Sequence, residues 1–276
     1  MTEMIAFQGE LGANSHLACL QIYPDAKLMP CFSFEDVMEA VEKKRADFAI
    51  LPVENSVAGR VGDLHRLLPE SPLFIIAEHF LSINHALLAI KETSLDRLTH
   101  VQSHEMALGQ CRSFIKKNGL TPVIAADTAG SARQIAEEKD ASLAAIASPL
   151  AAEIYKLQII AEKIEDADHN TTRFLIMARA PCEMKSDDPA ITSMLFRVKN
   201  VPSALYKALG ALASNGINMT KLESYQIGGS FQATQFYVEI EGHAKQAKIK
   251  NALEELSFFT SELHILGSYP AQRQNR

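Results

Sequence analysis

Ala180-Pro181-Cys182-Glu183-Met184-Lys185-Ser186-Asp187-Asp188-Pro189 is the stretch on which the fold turns. It is polar, carries a proline near each end, and reads as a linker. Two different patterns meet there. From residue 3 to 180, short apolar runs alternate with amphipathic segments. Met4–Phe7, Phe48–Leu51, His100–Val101, Val123–Ala125 and Ala144–Ala147 read as strands. Ser15–Ile22, Phe34–Val41, Met106–Lys117, Ser131–Glu138 and Ala151–Leu157 read as helices, with apolar residues three and four apart. The strand at Phe48 is expected to stop at Pro52, and an extended stretch is expected from Phe74 to Ile90. Such alternation implies an α/β fold on mostly parallel sheet.

Beyond the linker, Thr192–Val198 alternates apolar and polar residues as a half-buried strand does. Pro202–Ala213 reads as a helix with Pro in its first turn. Ile217–Ile227 and Phe231–Ile240 read as strands around a Gly228-Gly229 turn, His243–Leu256 as a helix and Leu263–Tyr269 as a last strand. The order βαββαβ predicts a ferredoxin-like α+β domain. The expected organisation is residues 1–180, a linker at 181–190, and a second domain at 191–276.

A chain of 276 residues with 47% hydrophobic and 22% charged residues is long enough for a large core. A net charge of −6 argues against a nucleic-acid partner. The first residues show no basic and apolar leader, and the most apolar stretch, Leu73–Ile90, is broken by Glu78, His79, Asn84 and His85, so no membrane partner is expected. Cys19, Cys31, Cys111 and Cys182 lie far apart and read as free thiols of a reducing cytoplasm.

Several strand ends carry small polar groups. Asn170-Thr171-Thr172-Arg173-Phe174 precedes the apolar Leu175-Ile176-Met177. Two hydroxyls, an amide and a guanidinium there suit an anionic ligand, since Arg forks onto a carboxylate; a capped turn fits the pentapeptide equally. Phe7-Gln8-Gly9-Glu10-Leu11-Gly12 leads from the first strand into a helix, but lacks the third Gly of a dinucleotide fingerprint and the Lys of a phosphate loop, so no nucleotide cofactor is expected. Glu54, Asn55 and Ser56 form a pocket wall or a helix cap. Ser103 reads as a helix cap, with His104 toward ligand or solvent. Leu108 stands where a zinc helix would need its second His, so no metal is expected. Thr128 and Ala129 open a helix whose backbone N–H groups suit a carboxylate or a plain cap.

In this order, Phe7-Gln8-Gly9-Glu10, Pro52-Val53-Glu54-Asn55-Ser56, Asp127-Thr128-Ala129, Ile164-Glu165-Asp166 and Asn170–Phe174 resemble the prephenate dehydratases. Gly216–Ser224 resembles the ACT regulatory module that follows the catalytic part in that family. The resemblance covers nearly the whole chain. It implies a two-lobed catalytic domain like a periplasmic binding protein, followed by the ACT domain. It implies a lyase that converts prephenate to phenylpyruvate, with arogenate as the alternative substrate; a non-catalytic sensor of anions and amino acids is the rival of another class. By resemblance Thr172 is catalytic, and Asn55, Ser56, Ser103, His104, Thr128, Ala129, Arg173 and Phe174 bind substrate. L-Phenylalanine would bind as effector near Ala204, Leu205, Asn218 and Met219, between subunits of a homodimer or homotetramer. The chain departs from the family in the catalytic part, with Glu105-Met106 where relatives often have Pro-Gln, and in the ACT module, with Ser203-Ala204-Leu205-Tyr206 where Gly-Ala-Leu-Val is common and Tyr225-Gln226 where Arg-Pro is common.

Overall fold

A computed structural model describes residues 2–226 and 233–272. In chain order the elements are β1 (Met4–Gln8), α1 (Asn14–Ile22), β2 (Lys27–Cys31), α2 (Phe34–Glu42), β3 (Phe48–Asn55), β4 (Gly59–Arg60), α3 (Gly62–Leu67) and β5 (Phe74–Ser82). Next come β6 (Ala86–Ala89), β7 (His100–His104), α4 (Glu105–Gln110), α5 (Arg112–Lys117), β8 (Thr121–Ala125), α6 (Thr128–Glu138), β9 (Leu143–Ala147), α7 (Pro149–Tyr155) and β10 (Gln158–Glu162). The chain ends with β11 (Thr171–Ala178), β12 (Ala190–Val198), α8 (Ala204–Ser214), β13 (Met219–Gln226), β14 (Ala233–Glu241), α9 (Ala247–Ser257) and β15 (Thr260–Pro270).

These elements build two compact units: residues up to Leu68 with His79–Phe174, and Pro69–Glu78 with Leu175 onward. The division runs through β5 and β11. The first unit has two lobes, each an α/β layer on its own sheet. One sheet has the order β2-β1-β3-β11-β5, with β4 paired to β3; the other runs β10-β6-β9-β7-β8. β1 lies parallel to β2 and β3, and β7 lies parallel to β8 and β9. The chain therefore crosses between lobes after β5 and again before β11. In the second lobe Leu87, Val101, Ile146 and Leu108 pack as one face of the core, and Ala132, Ile135 and Ala145 as the other. The second unit carries the sheet β13-β14-β12-β15, with both of β12's pairings and the β13–β14 pairing antiparallel. Helices α8 and α9 bury Ala208, Leu212, Ile249 and Leu256 against Met194, Phe196 and Val238. That is the ferredoxin-like arrangement.

Several sequence expectations need correction. The second lobe is mixed, because β6 enters antiparallel to both β9 and β10. β3 does not stop at Pro52: its ladder to β1 ends at Ile50, so a proline beyond that point removes no bond to β1. The helix expected over Met106–Lys117 is broken at Cys111. There the Ser113 N–H leaves the helical ladder and donates to the Asp166 carboxylate at 3.2 Å. The stretch Phe74–Ile90 is two strands, with a lobe crossing between them. Helix α8 starts after Pro202, since Ser203 adopts φ 64° in the left-handed region. The Gly228-Gly229 turn lies outside the described residues.

Candidate active site

Strand alternation decides how the Asn170–Phe174 run is used. β11 begins at Thr171, so successive side chains point to opposite faces of the sheet. β3 is its hydrogen-bonded neighbour. On one face Thr172 meets Asn55; on the other Arg173 meets Glu54. The Arg173 side chain is only 2% exposed and its Nη1 donates to Glu54 Oε1 at 3.0 Å. Its guanidinium also lies 5.9 Å from the centroid of the Phe80 ring. Arg173 is thus held inside the protein rather than presented to a ligand carboxylate, as the sequence suggested. Phe174 is buried in the core.

The Thr172 face is a chain of hydrogen bonds whose direction is fixed. The backbone N–H groups of Val57 and Ala58 donate to Asn55 Oδ1 at 2.9 and 2.8 Å. Backbone N–H groups can only donate, so the other end of that amide must be Nδ2. Asn55 Nδ2 donates to Asn170 Oδ1 at 2.7 Å and to Thr172 Oγ1 at 2.9 Å. Thr172 Oγ1 therefore accepts from Asn55, which leaves its own hydrogen to point elsewhere. Asn170, with Oδ1 occupied, donates from Nδ2 to Gln110 Oε1 at 3.0 Å. His85 Nε2 lies 2.8 Å from the same oxygen. Ser56 braces the turn: its hydroxyl donates to His169 O at 2.6 Å and accepts from the Thr171 N–H at 2.9 Å. A cavity of about 380 Å³ opens beside this chain, lined by Asn170, Gln110, Val57, Glu105, Glu165 and Asp166 among others. Burial holds the His85 imidazole below its ordinary pKa, although Gln110 and Glu165 pull the other way.

The other strand-end residues fall elsewhere. Ser103 is fully buried and donates to Ile146 O at 2.6 Å. It is not the helix cap; exposed His104 is, its Nδ1 accepting from the Met106 N–H at 3.2 Å. Thr128 opens α6, Ala129 is buried, and Asp127 caps the helix by accepting from the Gly130 N–H at 2.6 Å. Asp127, Gly130 and Ser131 line a second cavity of about 810 Å³, together with Gln8, Glu10 and Phe32. At its edge a fork joins the lobes: Arg133 Nε donates to Glu10 Oε2 at 2.8 Å and Nη2 to Oε1 at 3.1 Å. The Arg133 hydrogen bond holds the Glu10 carboxyl below its usual range. Nearby, Ser148 donates to Gly12 O at 2.6 Å and Tyr155 to Leu11 O at 2.8 Å. Gly12, at φ +93°, lies so close to α7 that a Cβ would stand 3.0 Å from Ala151 Cα.

The sequence reading missed Gln110 and His85. Gln110 read as the interior of one long helix, and His85 as an interruption in an apolar run. Of the expected effector positions, Ala204 is buried at the start of α8 and Leu205 is packed on the core. Met219 opens β13, and Asn218 O accepts from the Glu241 N–H at 3.0 Å. Among the described residues, no three His, Cys, Asp or Glu side chains gather as metal ligands, and no helix is long and apolar enough to cross a membrane.

Comparison with known proteins agrees with this architecture. Residues 5–182 match the family model described as prephenate dehydratase. A bifunctional N-acyl-homoserine lactone acylase/prephenate dehydratase of Komagataeibacter europaeus is 48% identical over 97% of this chain and 96% of its own. Arogenate dehydratase/prephenate dehydratase 2 of Arabidopsis thaliana is 38% identical, covering 96% of this chain and 72% of the plant protein. Among solved structures, a prephenate dehydratase of Arthrobacter aurescens in complex with L-Phe superposes with a TM-score of 0.88 at 29% identity, covering 97% of this chain and 90% of that one.

Proposed function

The chain belongs to the prephenate dehydratase family, and on that premise we propose that it converts prephenate to phenylpyruvate, with Thr172 as the catalytic hydrogen-bond donor. One observation carries this reading: Thr172 Oγ1 accepts from Asn55 Nδ2, so its O–H is left to donate. In the reaction the ring carboxylate leaves as carbon dioxide. Its bonding electrons enter the ring, and the ring C–O bond breaks to release hydroxide. A threonine is too weak an acid to deliver a proton outright. A preorganised hydrogen bond to the departing oxygen, in a site that excludes water, contributes about 3–4 kcal/mol, as one oxyanion donor does. Asn55 aims that bond, and Ser56 holds the turn that aims Asn55. Gln110 presents its amide to the cavity. The unbonded N–H groups at the start of α6, at Thr128 and Ala129, suit a substrate carboxylate.

A second reading has its own support. Glu105, Glu165 and Asp166 line the cavity that Asn170 and Gln110 also line. Carboxylates there favour a substrate that carries an ammonium in place of the keto oxygen, which is arogenate. The name of the Arabidopsis relative covers both substrates.

The second unit supports an ACT module in which L-phenylalanine acts as effector near Ala204, Leu205, Asn218 and Met219 of a homodimer or homotetramer. The L-Phe complex of the Arthrobacter aurescens protein supports that assignment. The test is steady-state turnover of prephenate and arogenate by the purified full chain, with and without L-phenylalanine. A parallel arm with an N-acyl-homoserine lactone reads the second activity named for the Komagataeibacter relative. Turnover of neither cyclohexadienyl substrate sinks the dehydratase reading.

A further inference from the structure

We infer that His85 is a positioning residue: as the Nε2–H tautomer it holds the Gln110 carbonyl back, so that the Gln110 NH2 group faces the substrate cavity. This deepens the dehydratase reading and rests on it. The polarity chain leads there by elimination. Val57 and Ala58 fix Asn55, Asn55 fixes Asn170, and Asn170 Nδ2 makes the Gln110 atom it touches the oxygen. An amide oxygen only accepts, so the imidazole nitrogen 2.8 Å from it must carry its hydrogen. Gln110 Oε1 then receives two donors and has both lone pairs occupied. Turning the amide over would set NH2 against the Asn170 N–H, donor facing donor in a half-buried site, and would require the opposite His85 tautomer.

His85 itself is 3% exposed and stands outside the cavity lining, so it acts only through Gln110. Its backbone is pinned at the lobe crossing: its N–H donates to Glu165 Oε2 at 2.9 Å, and its carbonyl accepts from the Ile164 N–H at 3.1 Å. Gln110 is pinned too, its backbone carbonyl accepting from the Asp166 N–H at 2.7 Å. The imidazole is therefore the means by which the lobe crossing sets the direction of an amide in the second lobe.

The test combines one spectroscopic and one kinetic measurement on the full chain. Long-range 1H–15N NMR reads the His85 tautomer, and Nε2–H is expected. An Nδ1–H tautomer overturns the assignment and leaves the dehydratase reading standing, whereas absence of turnover by the unaltered protein removes that reading instead. Kinetically, His85→Leu is expected to lower kcat about tenfold, the effect of one lost hydrogen bond, with KM moving less. His85→Gln, which keeps an N–H near the Nε2 position, is expected to recover most of the loss. In a Gln110→Met background, His85→Leu is expected to change kcat no further. Equal losses in both backgrounds, or a His85→Gln variant no better than His85→Leu, contradict the role. Should His85→Leu not fold, the tautomer and the His85→Gln variant still decide.

Discussion

Beside Thr172 the first unit uses uncharged amides and hydroxyls joined in one fixed direction. At the mouth next to α6 it uses an exposed guanidinium–carboxylate fork and the nearly bare ring of Phe32, which is 94% exposed. The contrast is one of tolerance. A directed chain of amides fails if one member reverses, because every partner then faces the wrong group. An exposed ion pair contributes little, and water replaces it readily. The Arg173 face of β11 makes a third term: it is charged like the fork but buried, with its guanidinium held by Glu54 and near the Phe80 ring.

Four changes sharpen or break that comparison. The largest effect is expected from Asn55→Asp. The carboxylate keeps the two backbone bonds from Val57 and Ala58, but it now accepts the Thr172 hydrogen instead of donating to its oxygen. We expect kcat to fall about 10³-fold with the fold intact; steady-state kinetics beside circular dichroism check this. Next, Arg173→Met removes a buried guanidinium and its bond to Glu54, and is expected to cost about 3 kcal/mol of stability, read by urea denaturation. Its kcat per folded molecule is expected to change far less than that of Asn55→Asp, since Arg173 lies on the opposite face.

A smaller effect is expected from acid. Burial lowers the pKa of His16 and His85 from the ordinary 6.5, so below that pH the unfolded chain takes up protons that the folded one resists. Stability is then full above about 6.5 and declines as pH falls through the window beneath it. Urea midpoints at about pH 8 and about pH 5.5 measure the loss, and His85→Gln is expected to reduce it. The smallest effect is expected from Glu10→Gln, which weakens the exposed fork to Arg133 by less than about 1 kcal/mol. High salt is expected to erase most of the difference in denaturation midpoint.

Much of the fold was legible because it rests on local pattern. The alternation in Thr192–Val198 and the apolar spacing through Ala204–Ala213 mark the βαββαβ domain without any long-range information. The antiparallel entry of β6 was hidden, because short apolar runs do not state their direction. At the site, Thr172 and Asn55 were visible as strand-end polar groups. Their separation from Arg173 was not, since the pentapeptide read as a loop before the strand; starting β11 at Thr171 would have put Thr172 and Arg173 on opposite faces. Gln110 and His85 were out of reach for a different reason. Their bonds join residues 25 and 60 positions apart, and an amide's direction depends on partners that only the folded chain supplies.

The donor role of the Thr172 hydroxyl is tested most directly by comparing Thr172→Ser with Thr172→Val in single-turnover conversion of prephenate by the full chain. Serine keeps the O–H and an oxygen for Asn55 Nδ2; valine keeps only the shape. The account predicts that serine retains the rate to within about tenfold while valine loses about 10³-fold. Equal loss in the two variants, or a valine variant that turns over at the parent rate, would contradict it.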